Sequence, residues 1–281
     1  MSCLKSPKEL LIASRKYASE NVWVSLWHVI STTIVWLALV VAVFSLESMQ
    51  WKMVTSIVLG LVHVRLFVIY HDYQHGAILK NSKFIRAYMF VFGLLTLSPP
   101  SVWKRSHNHH HKNNAKLYGA SIGSYPVMTT KDYAEAPFLR RIQYRLARHP
   151  LFIGLGYITV FFLGMCIRPL FLNPKRHWDA VLSVIVHAAI YVGLAMTNNP
   201  SDIVYVMVIP MAIAAGMGSY LFYAQHNFPS VELKVGREWT HVQAALKSSS
   251  YIRMSRLFHW FTANIGYHHI HHLNHNIPFY K

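Results

Sequence analysis

Long apolar segments constrain this chain more than any other feature. Four of them, at about residues 22–46, 53–70, 180–197 and 203–222, approach or exceed the roughly 20 apolar residues that a bilayer-spanning helix needs. Charged residues make up only 13% of the 281 residues, whereas about a quarter is usual in globular proteins. The sequence therefore predicts an all-α integral membrane protein with four transmembrane helices. We expect residues 1–281 to form a single membrane domain.

Three groups of histidines repeat a helical spacing. Residues at i, i+3 and i+4 lie on one face of a helix, so each group can point its imidazoles in one direction. Neutral imidazole is a strong ligand for first-row transition metals, so the spacing indicates metal binding. The groups are His71 and His75; His107, His110 and His111; and His268, His271 and His272.

A ninth candidate ligand, His226, follows the last apolar segment. Nine imidazoles exceed the four ligands of a tetrahedral site, so the sequence predicts two metal ions with four or five ligands each. Ligating histidines usually donate their other N–H group to an acceptor, and Asp72 and Asn264 are candidate orienting partners. Asn227 is a candidate to complete a coordination sphere through water. Other histidines, His275 among them, are interpreted as structural.

The three groups can form a joint site only if they share one side of the membrane. Residues 84–97 are too short for a crossing and end in Ser98-Pro99-Pro100, which favours a re-entrant or interfacial helix. Three apolar segments separate the second group from the third, and three crossings would put these groups on opposite faces. Residues 151–167 are therefore predicted to stay on their own side, because basic residues flank them at both ends.

The positive-inside rule places both termini and the histidines in a cytoplasmic cap. Residues 1–21 are predicted to be an amphipathic lead-in on that side, with basic residues at Lys5, Lys8 and Arg15. Arg65, inside the second apolar segment, is expected to reach the interface with its long side chain.

A formal net charge of +17 is compatible with nucleic acid or with anionic lipid as a partner. Because the basic residues flank apolar segments, we favour lipid and expect no nucleic-acid partner. The two cysteines, Cys3 and Cys166, form no CxxC motif and no disulfide framework. Cys166 lies in an apolar run and is interpreted as a small buried hydrophobic residue.

The histidines occur without the companions that two other metalloprotein classes require. No HExxH motif and no paired carboxylates are present, which argues against a metalloprotease or a carboxylate-bridged diiron bundle. An imidazole-rich site at the mouth of a membrane bundle fits redox iron, although zinc would bind the same ligands. A metal transporter would need ionisable groups inside its spans, but the predicted spans contain no Asp or Glu.

The three histidine groups resemble the histidine boxes of the membrane fatty-acid desaturases. Gln225-His226 is similar to an additional ligand of that family, and Asn264 to His268 resembles the lead-in to its third box. The resemblance covers roughly residues 55–280. It implies a non-haem enzyme with two iron ions, which takes two electrons from a carrier, activates O₂ and removes hydrogens from an acyl chain to leave a double bond and water. A hydroxylase or ketolase acting on acyl, carotenoid or sphingolipid substrates is the alternative.

The sequence around the second and third histidine boxes is most similar to that of bacterial acyl-lipid desaturases. This similarity implies a location in a bacterial inner membrane. The implied partners are an acyl-lipid or acyl-thioester substrate, O₂, membrane lipids, and an external ferredoxin or cytochrome b5-like carrier with its reductase. Two functions are open to the basic cytoplasmic residues: contact with phospholipid, which we favour, and carrier docking. These residues are Arg140, Arg141, Arg145, Arg148, Lys175 and Arg176. The family often continues beyond the third box, so we expect a short or truncated member.

Overall fold

A computed structural model describes residues 6–119, 122–197 and 199–281. Regular structure in this part of the chain is helical, and the only bridge between extended residues joins Lys116 and Lys234. The predictions for Cys3 and Lys5 lie outside the described residues. The predicted all-α fold class is confirmed.

The helices of the first half of the chain extend from the N-terminal lead-in to residue 147. They are α1 (Pro7–Arg15), α2 (Val22–Ser45), α3 (Met49–His75), α4 (Lys83–Leu95), α5 (Pro100–Asn113), α6 (Thr130–Glu135) and α7 (Phe138–Ala147).

The second half adds helices of the membrane bundle and short helices of the cap. They are α8 (Pro150–Gly154), a π-helix (Tyr157–Ile167), α9 (Arg168–Leu172), α10 (Trp178–Ala195), a second π-helix (Ile203–Val208) continued by α11 (Ile209–Ala224), a 3-10 turn (Gly236–Glu238), α12 (His241–Lys247), α13 (Arg256–Phe261) and α14 (His268–Leu273).

In the part of the chain that the structure describes, four helices are long and apolar enough to cross a membrane: α2, α3, α10 and the continuous helix Ile203–Ala224. They confirm the four predicted spans, with one difference in extent. The second span does not stop at residue 70, because α3 continues to His75 and ends where Gly76 adopts the left-handed conformation with φ of 76°. This C-terminal glycine cap keeps His71 and His75 on the helix itself.

The helix α3 lies at the centre of the bundle and is more buried than the other three spans. It packs against α2 on one side and against α11 on another. Gly60 permits the second contact, because a Cβ atom there would lie only 2.9 Å from the carbonyl oxygen of Pro210. The residues carried by α3 therefore have fixed neighbours on several sides.

Both shorter apolar segments are broken helices. The axes of α4 and α5 differ by 89°, and the break at Ser98-Pro99 has the geometry of a broken span or a re-entrant loop. Residues 151–167 fall on α8 and the first π-helix, whose apolar run with α9 is shorter than a span. Cys166 is completely buried in this region, as predicted for a small hydrophobic residue.

The prediction for Arg65 is wrong. Its side chain does not reach a surface, because the residue is only 4% exposed. Thr32 and His28 of α2 accept hydrogen bonds from the guanidinium, which turns sideways into the bundle instead of along the helix.

Candidate metal centre

The nine predicted histidines come together at one end of the bundle. The C-terminal turn of α3 carries His71 and His75, and α5 carries the second group. His226 lies two residues after the end of α11, and α14 carries the third group. Local helical structure explains the convergence within each group, since residues one turn apart point the same way. All nine are buried or half-buried.

The rings divide into a five-histidine group and a four-histidine group. Within each group, one ring nitrogen of every histidine lies within 4.8 Å of the corresponding nitrogen of each other member. The five-histidine group is His71, His75, His107, His111 and His271, and the four-histidine group is His110, His226, His268 and His272.

The two spatial groups do not coincide with the three groups in the sequence, and helical geometry explains the difference. At 100° per residue, position i+4 is rotated by about 40° from position i, whereas i+3 is rotated by about 60° in the opposite direction. The i and i+4 members of α5, His107 and His111, therefore stay together, and His110 faces the other group. In α14 the pair joins the four-histidine group and His271 crosses to the five-histidine group. The helices α5 and α14 thus each contribute to both groups.

Distances between nitrogens fit a shared cation. The Nε2 atom of His107 lies 3.0 Å from those of His71 and His111, and His271 Nε2 lies 3.1 Å from His111 Nε2. A metal–nitrogen distance of about 2.1 Å places two ligand nitrogens about 3.0 Å apart when they subtend a right angle at the ion. A neutral imidazole has only one N–H group, so converging ring nitrogens are better satisfied by a metal than by each other.

The four-histidine group has the same spacing. The Nε2 atom of His226 lies 3.0 Å from that of His110 and 2.9 Å from that of His268. The Nε2 atom of His272 lies 3.2 Å and 3.1 Å from the same two rings.

Burial keeps seven of the nine rings, those outside α3, neutral. Burial lowers the pKa of His226 to about 4. Burial, followed by repulsion from neighbouring imidazoles, lowers the pKa of the α5 and α14 rings well below the usual value of about 6.5. Neutral imidazole is the protonation state that a metal ion requires. The rings with these strongly lowered pKa values are His107, His110, His111, His268, His271 and His272.

Several of the other ring nitrogens have partners that orient them. The Nδ1 atom of His71 lies 3.1 Å from Asp72 Oδ1, so the predicted contact of Asp72 is present. The Nδ1 atom of His226 lies 3.0 Å from the carbonyl oxygen of Ser248, which can only accept a hydrogen bond. The proton therefore belongs on Nδ1, and Nε2 presents its lone pair to the group. His110 Nδ1 lies 2.8 Å from Ser124 Oγ. Ser124 and Ser248 were not predicted, because neither sits in a recognisable sequence pattern.

Asn227 and Asn264, which were predicted to assist the metal ligands, make other contacts instead. Asn227 accepts a hydrogen bond from Arg148 Nη1 at 2.8 Å and donates to the Tyr223 carbonyl, so its amide closes the end of α11. Asn264 donates to the carbonyl oxygen of Phe279 at 3.0 Å. Both amides are occupied by these contacts, and neither one bonds to an imidazole in the structure. Arg148, predicted as part of the basic cytoplasmic face, is half-buried and also donates a hydrogen bond to the Pro126 carbonyl.

One further histidine lies beside the site. The ring centroid of His275 is 4.7 Å from that of His75 and 5.1 Å from that of His111. The prediction for His275 was a structural role. Its position four residues after His271 was the available signal, although α14 ends at Leu273.

A cavity of about 730 Å³ leads from the apolar bundle to the histidines. Its walls include apolar residues of α3 and the first π-helix, such as Phe67, Phe161 and Met165. Three histidines from both groups, His71, His107 and His268, line the same cavity. An apolar ligand in this cavity would therefore lie next to both groups.

Comparisons with known proteins agree with this architecture. The family model for fatty acid desaturases matches residues 34–281. A fatty acid desaturase of Bacillus subtilis is 32% identical over 219 residues, which is 77% of this chain and 62% of that protein. An endoplasmic-reticulum omega-3 fatty acid desaturase of Vigna radiata is 25% identical over 240 residues, or 79% of this chain and 60% of that protein.

A ferredoxin-type sn-1 acyl-lipid omega-3 desaturase of Nostoc is 25% identical over 234 residues, which is 79% of this chain and 62% of that protein. The chain thus spans about three fifths of the length of these relatives. The family match covers three of the four candidate membrane-spanning helices completely, together with all nine converging histidines. On this evidence, the chain belongs to the fatty acid desaturase family.

Proposed function

We propose that this protein introduces a double bond into the acyl chain of a lipid in an O₂-dependent reaction. One observation carries the proposal: an apolar cavity within the membrane bundle reaches histidines of both groups. A volume of about 730 Å³ falls in the range of about 300–1,000 Å³ that is usual for ligand pockets. The cavity is suited to an extended hydrocarbon chain because its named walls are mainly apolar.

The nine histidines are the proposed ligands of two iron ions, one ion in each group. The described residues place only imidazole nitrogens at the centre of each group, and imidazole binds iron as well as zinc or copper. We choose iron because the proposed reaction with O₂ needs a redox-active metal. The chemistry supplied by two bound iron ions is the reduction of O₂ to two waters, with two electrons from the acyl C–C unit and two from a carrier. The balanced result is one new C=C bond, with two hydrogens lost from the chain and two protons taken up.

The residues of the chain provide binding and orientation. Phe67 and Phe161 hold the hydrocarbon and exclude water from the cavity. Trp103 lies against the five-histidine group, with its ring centroid 4.4 Å from that of His107 and 5.5 Å from that of His71. It can therefore keep the acyl chain at a fixed distance from these two rings. Asp72 and the Ser248 carbonyl set the orientation of His71 and His226.

The electron carrier is proposed to be a ferredoxin, and its docking site the exposed cationic face of α7. The Nostoc relative is named as a ferredoxin-type enzyme. Arg140 and Arg145 are exposed on α7, which has no buried residue, so they are free to meet an acidic protein or anionic lipid. The positive-inside rule supports a cytoplasmic site and cytoplasmic termini, and we propose a bacterial inner membrane as the location.

The test is reconstitution of the purified protein with ferrous iron, ferredoxin, its reductase and lipids with saturated acyl chains. Mass spectrometry should detect monounsaturated chains, formed only when O₂ and reductant are both present. The variant His110→Ala should lose this activity and part of its iron. The control variant His149→Asn should retain both, because His149 caps α8 away from the histidine groups. Hydroxylated or keto products would reject desaturation, and iron content equal in both variants would reject the ligand assignment.

A further inference from the structure

The third histidine group lies on a loop whose two ends touch. We define the box-three loop as residues 264–279, which contain α14 with His268, His271 and His272. The side-chain amide of Asn264 donates to the Phe279 carbonyl at 3.0 Å and closes the loop. Asn264 has a φ of 61°, a left-handed conformation that asparagine tolerates better than most residues. A loop closed in this way moves as a unit, so its orientation depends on what holds its ends.

Arg65 of α3 holds the chain just before this loop. Its Nη1 donates to the Trp260 carbonyl, while Nε and Nη2 reach Thr32 Oγ1 and His28 Nδ1, each at 3.2 Å. The guanidinium carbon lies 4.4 Å from the Trp260 ring centroid. Arg65 therefore joins the helix α2 to the end of α13.

The same guanidinium reaches the other end of the loop. Its carbon lies 5.7 Å from the ring centroid of Phe279, within the distance at which a cation attracts an aromatic face. No carboxylate pairs with Arg65 in residues 6–119, 122–197 or 199–281. An arginine buried among spans without an acidic partner is costly, and such residues usually have a functional reason. Here the aromatic rings and carbonyl take the place of a counter-ion.

A second residue of α3, Asp72, binds the backbone of Phe279. Asp72 Oδ2 accepts a hydrogen bond from the Phe279 backbone N–H at 2.7 Å, while Asp72 Oδ1 meets the His71 ring. Asp72 lies seven residues after Arg65, which puts both on nearly the same face of the helix. The helix that carries the first histidine group thus also holds both ends of the box-three loop.

We propose that Arg65 is a positioning residue for the metal centre. By clamping Trp260 and Phe279 against α3, it fixes the box-three loop so that its histidines meet those of α3 and α5. The proposal rests on the proposed function in one respect, since it takes the nine histidines to be metal ligands. Its effect on the order of the loop is independent of that assumption.

The experiment compares Arg65→Gln with Lys52→Gln in the full-length protein in detergent. Lys52 is a second buried cation on α3, paired with Asp202 at 3.3 Å. At 1.5 Å rise per residue, it lies about 20 Å from Arg65 along the helix. Both variants remove one buried positive charge from the same helix, but only the first touches the box-three loop.

Two readouts are measured: hydrogen–deuterium exchange of residues 264–279 without metal, and Co²⁺ affinity by optical titration. Arg65→Gln should accelerate exchange in the loop and weaken Co²⁺ binding by about 10–100-fold, the usual effect of changing an outer partner of a metal site. Lys52→Gln should lower thermal stability while leaving both readouts at their wild-type values. Equal changes in both variants, or none in Arg65→Gln, would overturn the proposal.

Two further variants cover the case in which Arg65→Gln does not fold. Phe279→Leu removes one aromatic face but keeps the backbone contacts to Asp72 and Asn264, and it should show the same two effects in weaker form. Arg65→Lys keeps the charge but loses the planar fork, and it should fall between wild type and Arg65→Gln. Wild-type exchange rates and wild-type Co²⁺ affinity in both of these variants would overturn the proposed positioning role of Arg65. If the wild-type protein binds no metal while the exchange result holds, the proposed function fails and the clamp stands.

Discussion

Adjacent residues in the second histidine group should belong to different metal ions. His110 lies in the four-histidine group and His111 in the five-histidine group. Changing either one to alanine should therefore weaken one metal-binding event and spare the other. Sequence spacing alone predicts no such difference, because both residues belong to the same motif.

The expected size of the effect follows from the contacts that are lost. His110→Ala removes one nitrogen of four, whose Nε2 lies 3.0 Å from that of His226 and 3.2 Å from that of His272. Changes to outer partners of a metal site cost about 10–100-fold in affinity, and loss of a ligand should cost at least the upper value. A factor of about 100 corresponds to about 2.8 kcal/mol at the affected site. The five-histidine group keeps all its members.

The assay is a two-site Co²⁺ titration of wild type, His110→Ala, His111→Ala and the double variant. Each single variant should keep one binding event at wild-type affinity, and the double variant should lose both. Cobalt is suitable because its optical spectrum reports the ligand geometry. If both single variants weaken the same event, or if each weakens both events equally, the division into two groups is refuted.

Three other predictions concern the surroundings of the centre. Asp72→Asn removes the charged acceptor of the His71 ring and should weaken one Co²⁺ event by about 10–100-fold, whereas unchanged titration curves would exclude an orienting role. Lys52→Met leaves Asp202 buried without its cation and should lower the free energy of unfolding by about 3–5 kcal/mol in denaturant titrations. Adding Asp202→Leu should restore most of that loss, and a double variant no better than the single one would contradict this reasoning. Gly218→Leu should narrow the apolar cavity and abolish or shorten the acyl products seen by mass spectrometry, with Co²⁺ binding intact; unaltered products would remove this cavity from the reaction.

The membrane architecture could be predicted from the sequence because each apolar segment acts locally. A run such as residues 22–46 specifies a span whatever the rest of the chain does. The convergence of the nine histidines was also predictable, since spacing places each group on one helical face and topology puts the groups on one side. The end of the second span was harder to predict, because His71 and His75 are polar although they continue α3.

The partition of the rings could not be predicted. Whether His110 or His111 joins His71 depends on how α5 and α14 are rotated against α3, and that rotation is set by contacts between distant segments. The contacts of Arg65 and Asn264 could not be predicted for the same reason. Their partners, Trp260 and Phe279, are far away in the sequence or carry no recognisable signal.

The two roles of α3 follow from the helical repeat. Val64, Phe67, Val68 and His71 line the cavity, and their positions fall on one face of the helix that His75 continues. Arg65 and Asp72 fall on a second face, rotated by about 90° from the first. One face therefore leads from the acyl cavity to the histidines, while the other grips the loop that completes the centre. Because a rigid helix fixes the angle between its faces, any shift of α3 that misaligns the cavity must also displace the third histidine group. Substrate position and metal geometry are thus coupled through a single element.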